Sequence, residues 1–128
     1  MAQFLMPRTE TTPEVSFDPD RGALQIAGCC IPENAEGFFR PLIARLEQYI
    51  GKPAGHTAVR IALSYFNSSS SKYLLDLLKL LNEVHLSGAG TVDVEWLYEQ
   101  DDMDMEEAGQ DYRSLLELPV RLVVVPNR

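Results

Sequence analysis

The sequence has 128 residues, enough for one domain whose core needs neither metal nor disulfide staples. Its 45% apolar content excludes wholesale disorder. A net charge of −8, with no cluster of Lys and Arg, excludes nucleic acid or an anionic membrane surface as the main partner, because both require a basic face.

Residues 1–13 show little periodicity and end in Thr11-Thr12-Pro13, which predicts an arm of limited order. Residues 1–8 carry no basic flank followed by an export-length apolar stretch, and nothing approaches a membrane span, so a cytoplasmic protein is expected. Residues 14–17 and 23–28 read as short strands. Between them Asp18-Pro19-Asp20-Arg21-Gly22 is a turn, which makes a hairpin. Cys29 and Cys30 are adjacent, a spacing unsuited to an ordinary structural disulfide. Reduced thiols at a strand end are expected, one facing in and one out.

Ile31-Pro32-Glu33-Asn34 leads into a helix over about 35–50, with Asn34 as N-cap and Phe38, Phe39, Leu42, Ile43, Leu46 and Ile50 as its expected buried stripe. Pro41 falls inside that stretch and is expected to kink the helix or divide it. A loop at 51–55 delivers the chain to a strand over 57–66, with Val59, Ile61, Leu63 and Tyr65 on one face. A helix over 72–86 follows, with Leu74, Leu75, Leu77, Leu78, Leu81 and Val84 at helical spacing.

Between that strand and helix stands Asn67-Ser68-Ser69-Ser70-Ser71. Unpaired backbone N–H groups and the positive end of the helix dipole favour an anion at such a turn. One serine is explained as an N-cap. Four hydroxyls in a row are more than a cap requires, so a phosphoacceptor reading stands beside the cap reading.

Ser87-Gly88-Ala89-Gly90 reads as a C-cap and turn, and 91–98 as a strand with Val92, Val94, Trp96 and Tyr98 on one face. The acidic run Asp101-Asp102-Met103-Asp104-Met105-Glu106-Glu107 opens a third helix to about 118, and Val120 to Val125 has the continuous apolar character of an interior strand. The order ββαβαβαβ predicts a single α/β domain over 1–128. Its sheet is expected to be mixed and four- or five-stranded, with an N-terminal hairpin, βαβαβ-type units and helices mainly on one face.

Enzymatic patterns are absent. There is no phosphate-binding loop and no dinucleotide fingerprint. His56 and His85 have no metal-ligand spacing, and the serine turn lacks the Gly-x-Ser-x-Gly elbow of a hydrolase. The acidic run lacks the glycine and terminal glutamate of a calcium loop, and its charges suit the first turn of a helix. Asp101, Asp102 and Asp104 are therefore expected to be exposed and metal-free, available to a basic partner. No cofactor is expected.

Several motifs in order carry a resemblance: Thr12-Pro13-x-Val15-x-Phe17-Asp18-Pro19, the Ile31-Pro32-Glu33-Asn34 entry, Tyr65-Phe66-Asn67-Ser68-Ser69-Ser70-Ser71-Lys72, Val94-x-Trp96-x-Tyr98, and Asp101-Asp102-x-Asp104-Met105-x-Glu107. Together they resemble the SiaC family of bacterial regulatory phosphoproteins over almost the whole chain. Ser68 stands where a related member carries threonine, and Cys29-Cys30 departs from the small or polar residue and tyrosine expected there. The resemblance implies a STAS-like domain, similar in logic to anti-sigma-factor antagonists, phosphorylated at a strand-to-helix turn. It implies a partner kinase, a PP2C-type phosphatase and a diguanylate cyclase that the unphosphorylated form binds and activates, with biofilm or aggregation control as the output. The phosphoacceptor corresponds to Ser68, with Ser69, Ser70 and Ser71 as alternatives. Asn67, Ser69, Ser70, Lys72, Asp101, Asp102 and Asp104 would form the partner surface. The competing reading is a constitutive adaptor in which Ser68 is only a helix cap.

Overall fold

The computed structural model describes residues 2–127. The elements run β1 (Phe4–Met6), β2 (Glu14–Asp18), β3 (Ala23–Cys30), α1 (Ala35–Tyr49), β4 (His56–Phe66), α2 (Ser68–Ser87), β5 (Thr91–Glu99), α3 (Met103–Leu115) and β6 (Val120–Val125). They form one mixed sheet with its strands in sequence order. β1, β2 and β3 are antiparallel, and β3 to β6 are parallel.

The expected α/β class and hairpin are present, but the sheet has six strands, not four or five. The extra strand is β1, in the segment expected to be a loose arm. Phe4, Leu5 and Met6 pair with Phe17, Ser16 and Val15. The linker behind it is tied down by Arg8 to Glu14 at 3.2 Å and by Thr9, whose hydroxyl accepts the Thr12 amide at 2.9 Å. The second correction concerns β6, which is an edge strand and not an interior one.

A sheet that grows in one direction through crossovers of one hand keeps every helix on the same face. The alternation of burial follows. Val15, Phe17, Leu24, Ile26, Val59, Ile61, Val92, Val94 and Trp96 are buried under the helices, while Ser16, Gln25 and Arg60 on the opposite face are exposed. Arg60 and Arg121 flank Glu95 on that open face.

The helices begin and end where local chemistry directs. Asn34 Oδ1 accepts the Gly37 amide at 3.0 Å, which caps α1 as expected. The helix continues through Pro41 as one element and is not divided there. Gly88 ends α2 with φ of +74°, a left-handed conformation that a side chain would resist. Phe39 stacks on Tyr73 at 5.7 Å and joins α1 to α2. Asn82 Oδ1 accepts the amides of Glu117 and Leu118 at 3.0 and 2.9 Å, which fixes the chain between α3 and β6 against α2.

Candidate functional site

In a parallel sheet the chain leaves the carboxyl end of each strand and enters a helix, so the helix N-termini gather on one rim. Here Asn34, Asn67 and Asp102 cap α1, α2 and α3 on that rim. The serine turn and the acidic helix entry, 30 residues apart in sequence, therefore lie on the same end of the molecule.

The serine turn is built from Asn67. Its amide donates to Cys30 O at 3.0 Å, so the turn is hooked to the end of β3. Its Nδ2 donates to Pro32 O at 3.3 Å, which fastens it to the entry of α1. Its Oδ1 accepts the Ser70 amide at 3.1 Å. Asn67 is thus the N-cap, which corrects the expectation of a serine cap, and α2 begins at Ser68, not near Lys72.

The four serines then divide by helical phase. Ser68 and Ser69 are exposed in the first turn. Ser71 Oγ donates to Ser68 O at 2.7 Å, and Ser71 O accepts the Tyr112 hydroxyl at 2.9 Å, which ties α2 to α3. Ser70 is fully buried, four residues before Leu74 and on the same inward stripe. Its side chain, expected on the partner surface, is enclosed by the chain instead of presented there. Lys72 is exposed, with Nζ 5.1 Å from the centre of the Tyr73 ring.

Beneath the turn, the Ser70 hydroxyl and the Cys30 thiol sit buried in an apolar setting. Among the described residues Ser70 Oγ is buried without a hydrogen-bond partner of good geometry, and the Cys30 thiol is the polar group it acts on. Burial pushes the Cys30 thiol up, partly offset by Ser70, and the nearby Cys29 adds to the rise. Burial likewise raises the Tyr112 hydroxyl well above the tyrosine range, with Cys30 and then Asp111 adding to the effect. Cys30 is buried and Cys29 half-buried, the expected in-and-out pair.

Two strand-end residues depart from the expected alternation. Tyr65 is 59% exposed instead of facing the core. Phe66 packs against Trp96 and Tyr112, with ring centres 6.1 and 6.4 Å away. Tyr65 consequently stands on the surface beside the serines. Neither it nor Tyr112 was marked by the sequence as part of the site. The break in alternation at the end of β4 was the one signal available.

At the acidic entry Asp102 Oδ1 accepts the Met105 amide at 3.1 Å, so this residue is a half-buried cap and not a free surface charge. Asp104 is exposed, and so is Asp101, which accepts from Asn127 Nδ2 at 2.6 Å. Among the described residues no group of three potential ligands is arranged to hold a metal. Burial and then Glu106, which accepts the Tyr98 hydroxyl at 3.2 Å, raise the pKa of Tyr98.

The histidines lie at the other end. His56 opens β4, and Asp93 and Thr91 hold its ring at 2.7 and 2.6 Å. His85 is in the last turn of α2. The full length of β4, roughly 35 Å at the usual rise per residue, separates His56 from Ser68. A Ser–His pair cannot form at this turn.

A model of the SiaC family regulatory phosphoprotein matches residues 6–125. An uncharacterized protein of Pseudomonas aeruginosa (strain UCBPP-PA14) is 29% identical over 119 residues, which cover 93% of this chain and 94% of that protein. Among solved structures, SiaC of Pseudomonas aeruginosa superposes with a TM-score of 0.89 at 27% identity, covering 98% of this chain and 100% of that one. A chain in the crystal structure of diguanylate cyclase SiaD in complex with its activator SiaC, from the same organism, gives a TM-score of 0.89 at 27% identity over 95% and 99% of the two chains. Sequence and fold agree, and the chain belongs to the SiaC family of regulatory phosphoproteins.

Proposed function

We propose that this protein is a non-enzymatic cytoplasmic switch with STAS-like logic. Its unphosphorylated form binds and activates a diguanylate cyclase. A partner kinase phosphorylates Ser68, and a PP2C-type phosphatase reverses it. The observation that carries the reading is the division of labour at the turn: Asn67 supplies the cap, so the exposed Ser68 hydroxyl has no structural duty. This favours the switch over a constitutive adaptor in which Ser68 is only a helix cap. The relative that complexes with the cyclase SiaD supports the choice of partner class.

Phosphorylation adds about −1.5 to −2 charge at the first turn of α2. The helix dipole favours an anion there by about 0.3–1 kcal/mol, so the fold is retained. A partner that covers a neutral Ser68 must instead desolvate a dianion, so affinity changes far more than stability. Asn67, Ser69, Lys72, Asp101, Asp102 and Asp104 frame the partner surface, with Asn67 and Asp102 shaping the backbone and the others presenting their side chains.

Cyclase output measured with wild type, Ser68→Ala and Ser68→Asp tests this. Stimulation by wild type and Ser68→Ala, with loss in Ser68→Asp, is expected. Phosphopeptide mapping after incubation with the cognate kinase should place the phosphate on Ser68. Equal stimulation by all three proteins would return the chain to a constitutive adaptor.

A further inference from the structure

β6 closes one side of the sheet, and among the described residues no strand pairs with its outer edge. Folded proteins commonly blunt such an edge with Lys, Pro or a bulge. Here Val120-Arg121-Leu122-Val123-Val124-Val125 has no Lys, Pro or bulge, its single charge Arg121 is paired with Glu95 within the sheet, and it runs in unbroken register with β5. Val124 is 54% exposed.

We propose that this edge takes a second copy of the chain. The two β6 strands would pair antiparallel about a two-fold axis at Leu122, joining both sheets into one. The hydrogen bonding of β6 selects this register. Pro119 O and Val125 O accept from the amides of Val94 and Gln100 at 3.0 Å, so odd-numbered residues turn their backbone groups toward β5. The N–H and C=O of Val120, Leu122 and Val124 then point outward. Two copies can pair only with outward-facing residues opposite each other. A register centred on Arg121 sets two like charges together. One centred on Val123 places Pro126, which has no N–H, opposite the partner strand. The register centred on Leu122 has neither fault: Val120 meets Val124, Leu122 meets its twin, and Arg121 meets Val123.

The helix layer is consistent with the same axis. Gly109 of α3 lies against Trp96, and Trp96 is the β5 partner of Leu122, so the axis passes level with the middle of α3. α3 packs on both β5 and β6. Helices so placed on two edge-joined sheets lie about 10 Å apart, a normal packing distance. Tyr112 reaches α2 from one flank of α3. Helical spacing puts Glu106, Gln110 and Arg113 on the other flank. Reversal about residue 109 brings Glu106 of each copy to Arg113 of the other. The net charge of −8 per chain opposes association at long range, so this local complementarity must carry it. The Ser68 turn follows β4, two strands away, and remains open in the pair.

Sedimentation of the full chain over rising concentration, to about 1 mM, tests the proposal, since even a weak dimer is then half formed. The mass should move from that of one chain toward that of two. Val124→Lys, at a half-exposed edge position, should weaken association at least about tenfold. Arg113→Glu should weaken it as well, and adding Glu106→Arg should restore it, because the reversed pairs are again complementary. A monomer at every concentration overturns the proposal. So does a dimer that Val124→Lys leaves unchanged, or a double variant no better than the single one.

Discussion

Asn67 Oδ1 accepts the Ser70 amide at 3.1 Å, and this bond is what frees Ser68. The two variants should therefore separate. Asn67→Ala loses the cap and should cost about 0.5–2 kcal/mol. Ser68→Ala should stay within about 0.5 kcal/mol, as a surface change away from any cap or core contact. Ser68→Asp should be neutral or favourable by about 0.3–1 kcal/mol, because an anion suits the first turn. Urea denaturation of the three reads these differences. If Ser68→Ala costs as much as Asn67→Ala, the cap assignment is wrong.

The Trp96–Gly109 contact gives a second prediction. A Cβ on Gly109 would sit 2.5 Å from Trp96 Cδ1, and the indole is held by its Nε1 donating to Met105 O at 2.8 Å. Gly109→Ala gains about 1 kcal/mol of helix propensity. Overpacking of this kind costs about 1–3 kcal/mol, and a locked indole places the site at the upper end. A net loss of about 1–2 kcal/mol is expected, with a shift in tryptophan fluorescence as α3 lifts. An unchanged or raised melting temperature would mean that the indole yields easily.

Much of this fold was legible because its signals are local. Asn34 before an apolar-periodic run and Gly88 after one are caps that any helix needs. β1 was hidden because three residues are too few to show a period, and its partner Val15–Phe17 lies beyond a loop. β6 was misplaced for another reason: an apolar run reports burial on its faces, and nothing in it reports whether a strand lies beyond its edge. At the site, the serines look like loop by propensity, since they compete with the backbone for hydrogen bonds. The stripe of Leu74, Leu77 and Leu81 already continued backward to Ser70, and that phase was the readable sign of its burial.

Alkaline pH should destabilise the protein in a defined window. The Cys30 thiol is raised in the folded state above its ordinary 9.0, chiefly by burial. As pH rises past that value the unfolded chain releases the proton first, so it binds fewer protons than the native state. Stability then falls with pH. Tyr112, also raised by burial from 10.0, extends the fall further. Denaturation midpoints from pH 7 upward should decline from about 9, and Cys30→Ala should postpone the onset to the tyrosine range. A profile identical in wild type and Cys30→Ala would remove the thiol from the account. Thiol labelling below the window should modify half-buried Cys29 and spare Cys30.

The acidic rim makes a last prediction, because its residues serve different ends. Asp102 is a cap, so Asp102→Ala should cost about 0.5–2 kcal/mol. Asp104 is exposed, and Asp104→Asn should change stability by no more than about 0.5 kcal/mol. Both stand on the rim that carries Ser68, since α2 and α3 start at the same end of neighbouring parallel strands. If the cyclase reads that rim through basic residues, Asp104→Asn should weaken binding while the fold is untouched. The loss should shrink as salt rises, because screening removes what the substitution removed. Titration calorimetry of wild type and Asp104→Asn against the cyclase at two salt concentrations makes the comparison. Equal affinities at low salt would confine partner recognition to the serine turn, leaving the acidic entry as helix chemistry alone.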